Sequence, residues 1–138
     1  MSLSVIGPVA ALGAFFGIWF GHVAVRKIEF IARDIRIPAL VALAAGLALE
    51  AASLAAGNRA VSALFGILGV TLLWDALEFW RQQNRVKHGH APANPDNPRH
   101  ARILAEYPEA TTYDWLDRSP RGRAYTAEEL EAIREAQR

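Results

Sequence analysis

His22, Glu29 and Glu78 are the residues of this sequence whose types and positions could handle protons. His22 is the only ionisable group in an apolar run from Leu3 to Val25. It stands seven residues ahead of Glu29, which puts both on one face if a single helix carries them. Glu78 lies where a later apolar run turns charged, Leu72-Leu-Trp-Asp-Ala-Leu-Glu-Phe-Trp-Arg-Gln-Gln-Asn-Arg85, and a helix through this junction aligns Trp74, Glu78, Gln82 and Arg85. An ionisable group at membrane depth is a functional candidate, as a proton relay or as a contact for quinone or solute. The competing expectation, which we favour, is structural. Glu29 or Glu78 pairs with Arg26, Lys27 or Arg85, and His22 donates to a carbonyl. In either case His22, Lys27, Glu29, Glu78, Gln82 and Arg85 form a polar network at the junction.

Other chemistries find less support. Glu50 interrupts an alanine- and leucine-rich run and must be protonated, paired or facing a polar cavity. His88-Gly-His90, with His100 beyond, matches no closed ligand set, so no metal is expected. The absence of cysteine excludes disulfides, thiolate zinc, iron–sulfur ligation and covalent haem attachment within the chain. No nucleophile–base pair or phosphate loop stands at recognisable spacing, so neither catalysis nor a bound cofactor is expected. A net charge of +1 without a basic stripe gives no reason to expect nucleic acid.

The elements that position these residues are legible from hydropathy. Mean hydropathy over the 138 residues is only +0.11, but that average mixes an apolar part, residues 1–80, with a polar part holding five of the seven prolines. Leu3 to Val25 is 23 residues, about 35 Å of helix and enough to cross a bilayer. The run is too long for a signal peptide and has no basic residue before it. Ile37 to Ala56 and Ala60 to about Phe79 supply two further spans, joined by a turn at Gly57-Asn58-Arg59. Between the first two spans, Ile28, Ile31 and Ile35 suggest a short amphipathic helix lying along the interface. Gly13, Gly17 and Gly21 recur every fourth residue and predict a packing face, because close approach replaces the hydrophobic effect between helices in lipid. Ser62 and Gly66 offer a similar face in the third span, and Ala44, Ala48, Ala52 and Ala56 form a ridge on the second.

Several of these positions carry a resemblance. The segment His22 to Glu29, with Lys27, and Trp74, Glu78, Gln82, Arg85, Val86, Gly89, Pro92, Asn94 and Pro95 at the junction resemble a family of small bacterial three-helix membrane proteins catalogued as a domain of unknown function (4491-type). Gly46, Ser53, Ser62, Gly66 and Gly69 fall at that family's small positions, which implies that Gly46 belongs to the packing set. The resemblance covers residues 5–95 and implies a three-helix membrane unit without an assigned activity. This chain departs from it by Glu50 and by about forty residues after Pro95.

Loop charge sets an expected orientation. Arg26, Lys27, Arg33 and Arg36 crowd the first connector, Arg81, Arg85 and Lys87 follow the third span, and the hairpin turn has only Arg59. Basic loops stay cytoplasmic, so the N-terminus is expected outside a bacterial inner membrane and the C-terminus in the cytoplasm. Pro92, Pro95 and Pro98 forbid a continuous helix after the junction, Thr126 and Glu129 form a capping box, and Ala127 to Gln137 reads as a short helix. The expected fold is thus an all-α membrane protein: a three-helix transmembrane unit over residues 1–90, then an extended cytoplasmic tail over 91–138 ending in a short helix. With too little apolar surface to fold alone, the tail is expected to strap onto a partner through Tyr107, Tyr113, Trp115 and Tyr125. The function these features suggest is an accessory subunit of an integral-membrane complex, with respiratory and photosynthetic complexes as hosts by analogy. The alternative is a small proton-, quinone- or solute-handling unit built on His22, Glu29 and Glu78.

Overall fold

A computed structural model describes residues 4–117 and 124–136. Among them the fold is all-helical: α1 (Ile6–Ile31), α2 (Arg36–Ala55), α3 (Arg59–Lys87), α4 (Pro98–Glu106) and α5 (Ala127–Ala136). The first three helices are long and apolar enough to cross a membrane. Leu3 and Gln137, the expected outer ends of the first and last helices, lie outside the described residues. Contacts divide the chain into two compact units, Met1–Gln82 and Gln83–Arg138. The division falls inside α3 and not after it, because Val86 is fully buried in the core of the second unit.

In the first unit α1 continues to Ile31, leaving a four-residue connector where an interfacial helix was expected. Nothing between Val25 and Ile31 breaks a helix, and the propensity of an uninterrupted run carries it on. Asp34 Oδ1 accepts from the Arg36 amide at 2.9 Å and satisfies one of the free donors at the start of α2. At the hairpin, Asn58 Oδ1 does the same for Ala60 and Val61 at 2.9 and 3.2 Å. Ser53 and Ser62 then clasp α2 to α3 reciprocally: each hydroxyl donates to the other residue's carbonyl, at 2.8 and 2.9 Å.

Small residues set how closely these helices approach. A Cβ placed on Gly46 would meet the Gly69 carbonyl oxygen at 3.0 Å, and one on Gly69 would meet the Gly46 carbonyl at 3.1 Å, so backbone lies against backbone where α2 crosses α3. Gly13 and Gly17 back onto Leu64 and Leu68 of α3, as the four-residue repeat predicts, and the neighbour is the chain's own third helix. The alanine ridge of α2 is not the buried face. Ala44 and Ala48 are exposed, while Ala39, Ala42 and Gly46 are buried. Only 11–17% of each span is buried, so the apolar remainder requires an apolar solvent, as a bilayer supplies.

The second unit has a small core of Val86, Ala91, Ala93 and Ile103, with Leu104, Tyr107 and Ala110 against it. Its first turn is a Schellman motif. The His90 amide donates to the Arg85 carbonyl at 2.8 Å and the Gly89 amide to that of Val86 at 3.2 Å, with Gly89 at φ +67°. Pro98, read as one of three helix breakers, is the first residue of α4, where its missing N–H costs nothing. Asn97 caps that helix through the Arg99 amide at 3.0 Å. The capping box of α5 forms as expected: Thr126 Oγ1 accepts from the Glu129 amide at 3.2 Å, and Glu129 Oε2 from the Thr126 amide at 2.9 Å.

Candidate functional site

The junction residues divide by burial. Glu29, Gln82 and Glu78 are buried, at 1%, 4% and 5% exposure, whereas His22 and Lys27 are exposed. Continuation of α1 does carry His22 and Glu29 on one helix, but only the carboxylate is withdrawn. Glu78 makes an ion pair with Arg81, 3.3 Å between Oε2 and Nε, and the Arg81 guanidinium also lies 5.3 Å from the Trp74 ring centre. Trp74 is more than half exposed, so the buried side of this stretch runs through Glu78 and Gln82 and leaves the tryptophan at its margin. Arg85 is half-buried in the second unit.

Sequence reasoning passed over Asp75. It is 9% exposed, and a Cβ on Gly21 would fall within contact distance of both its carboxylate oxygens, so the last glycine of the α1 row makes room for this carboxyl. Asp75 also stands within electrostatic reach of Glu78 and His22. The signal was available: an acid inside an apolar span, set among Leu72, Leu73 and Leu77, has the same standing as Glu50. Glu50 itself is half-buried with Oε1 against Gly69, where a Cβ would meet it at 2.7 Å. About one turn along the same seam, Gly66 backs onto Ser53 Oγ.

Asp75 is one wall of a groove of about 720 Å³ formed by the end of α1, the connector, the first half of α2 and α3. The rest of the lining within the helices is apolar and includes Val25, Ile28, Val41, Ala42 and Phe79, and Arg33 and Asp34 line it from the connector.

The second unit holds a different kind of cavity, a cleft of about 940 Å³ bordered by His88, His90, Tyr107, Glu109, Trp115 and Arg134. His88 Nδ1 lies 2.8 Å from the Asn84 carbonyl, to which it donates, leaving Nε2 free to accept. The His88 and His90 rings stack 6.3 Å apart. Trp115 Nε1 donates to the Gly89 carbonyl at 2.8 Å, and Lys87 Nζ sits 4.8 Å from the Tyr107 ring centre. Tyr113, Trp115 and Tyr125 form an edge-to-face trio, with the two tyrosine hydroxyls hydrogen-bonded to each other. His100 stands apart from the other histidines. It is completely buried, and its Nδ1 accepts the Asn94 amide at 2.8 Å, which makes it a structural centre of the unit.

Three apolar spans joined by minimal turns, followed by a small polar unit, define a polytopic helical membrane protein. The chain belongs to the family described as "Domain of unknown function (DUF4491)", whose model matches residues 4–97. The match covers the three spans and the turn after α3, and stops at the residue that caps α4. No curated protein and no solved structure matches the chain.

Proposed function

We propose that this protein is a non-catalytic accessory subunit of an integral-membrane complex, held in the bilayer by α1 to α3 and presenting its second unit to a partner protein. The observation that carries this reading is the 940 Å³ cleft of the second unit. Tyr107 and Trp115, two of the four aromatic residues expected to serve as anchors, form its walls beside two histidines and Arg134. Half-buried aromatic rings next to hydrogen-bonding groups are the surfaces on which protein interfaces concentrate their energy. The basic residues at the first connector and after the third span, against Arg59 alone at the hairpin, support an outside N-terminus and a cytoplasmic cleft.

The test is the size of the complex extracted from native membranes in mild detergent. Wild-type chain is expected to migrate in an assembly larger than its own micelle. A Tyr107→Ala/Trp115→Ala variant should remain in the membrane fraction but leave that assembly, as should a chain lacking residues 96–138. Wild-type migration as a lone chain, or full retention of the variants, refutes the proposal.

A further inference from the structure

The groove of the first unit joins an apolar interior to a charged opening. Its interior includes Ala24, Val25, Ala42, Ala45 and Leu72. Both carboxylate oxygens of Asp75 lie against Gly21, with His22 and Glu78 within electrostatic reach, so that acid is directed at α1. The opening is different. Exposed Arg33 and Asp34 line it from the connector, and Lys27 stands one turn before Ile31 of the α1 wall. None of Lys27, Arg33 and Arg36 has a carboxylate partner among the described residues, and the Asp34 carboxylate accepts the Arg36 amide. The opening therefore carries an excess of positive charge.

These cations also mark the membrane surface, where long basic side chains keep their heads in the polar layer. From Lys27 to Ile31 the helix rises about 6 Å, comparable to one headgroup layer of roughly 5–8 Å. An occupant of the groove thus has its polar part among Lys27 and Arg33 and its apolar part against Val25, Ala42 and Ala45. A second copy of the chain in the same membrane orientation does not suit this opening, because a two-fold contact sets the same cations against each other. A lipid without net charge leaves the excess of positive charge unmatched.

We infer that the groove between α1, α2 and α3 binds an anionic phospholipid, its phosphate paired with Arg33 and Lys27 and one acyl chain lying against Val25, Ala42 and Ala45. A basic opening between membrane helices is the setting in which anionic headgroups are recognised. This site lies within the first unit and does not depend on the partner proposed for the cleft of the second.

The experiment gives the full chain, in detergent, equal amounts of phosphatidylglycerol and phosphatidylcholine with identical acyl chains, and measures retained lipid by native mass spectrometry. Each basic residue near a membrane surface confers a preference of about fivefold for the anionic lipid, so two give about twenty-five-fold in the wild type. Arg33→Ala should lower that ratio to about fivefold and Lys27→Ala/Arg33→Ala to about one. Arg59→Ala, at the hairpin on the far side of the first unit, should leave it unchanged. Ala45→Phe and, separately, Ala24→Phe narrow the groove without altering charge. Each should abolish retention of both lipids with helix content unchanged by circular dichroism; Ala24 is exposed, so its variant decides the matter if Ala45→Phe unfolds. Equal retention of the two lipids by the wild type, or retention of neither, overturns the inference. So does a loss of preference in Arg59→Ala as large as in Arg33→Ala, which marks diffuse surface charge, and so does full retention by Ala24→Phe.

Discussion

In the first unit the residues that matter most for packing have almost no side chain, whereas in the second unit they are among the most polar in the molecule. Gly46 and Gly69 bring two backbones to within van der Waals distance, and Gly13, Gly17 and Gly21 let α1 lie along α3. In the second unit His100, Asn97 and Arg99 are buried together with four small or aliphatic residues. Each choice follows from the surroundings. In lipid, burying a leucine gains little, so close contact and interhelical hydrogen bonds hold helices together. In water, a unit with so little oil must supplement its core with satisfied polar groups, since an unsatisfied one is costly.

That contrast can be broken at its strongest point by His100→Ala, which removes a fully buried ring and orphans the Asn94 amide. A loss of about 3 kcal/mol is expected, enough to unfold a unit of this size. It would be read as rapid amide exchange across residues 91–117, and unchanged exchange there would show that the histidine is not the centre of the core. The counterpart in the membrane is Gly46→Leu, which drives a side chain into Gly69 and Leu73. Overpacking of this kind costs about 2 kcal/mol. The readout is loss of α2–α3 contact in denaturing-detergent titration. The smallest effect sharpens the comparison. Ser53→Ala removes one half of the hairpin clasp but leaves the Ser62 hydroxyl on the Ser53 carbonyl, and should cost about 0.6 kcal/mol in the same titration.

The three spans, the bounds of the second to within one residue, the hairpin turn and the α5 capping box were legible in the sequence, because each is a local or periodic signal, whereas the helices of the first and third spans run six and about eight residues past Val25 and Phe79. The glycine row of α1 announced a packing face but not its partner, which depends on how three helices are arranged in space. The alanine ridge misled for a related reason. Alanine is small enough for an interface yet apolar enough for lipid, so its spacing alone does not choose between Ala44, which is exposed, and Ala42, which is buried. Proline misled in the opposite direction. Three prolines in seven residues read as an extended strap, but Pro98 stands where a helix tolerates it best, and α4 brings Ile103 and His100 into a core whose other half comes from Val86 and the turn after α3.

Of the polar groups, those at the junction drew notice through their charge, and burial then sorted Glu29, Glu78 and Gln82 from His22 and Lys27. Asp75 was visible as a letter and meant little until Gly21 was found against it and a groove in front of it. By itself the sequence determined that this is a three-span helical membrane protein with a polar unit after its last span, because the free energy of transferring a helix between water and lipid is summed over its own residues. Which glycines meet, which carboxyls are enclosed and where the cavities open were decided only by tertiary structure, since those properties belong to pairs of surfaces that no single stretch of chain contains.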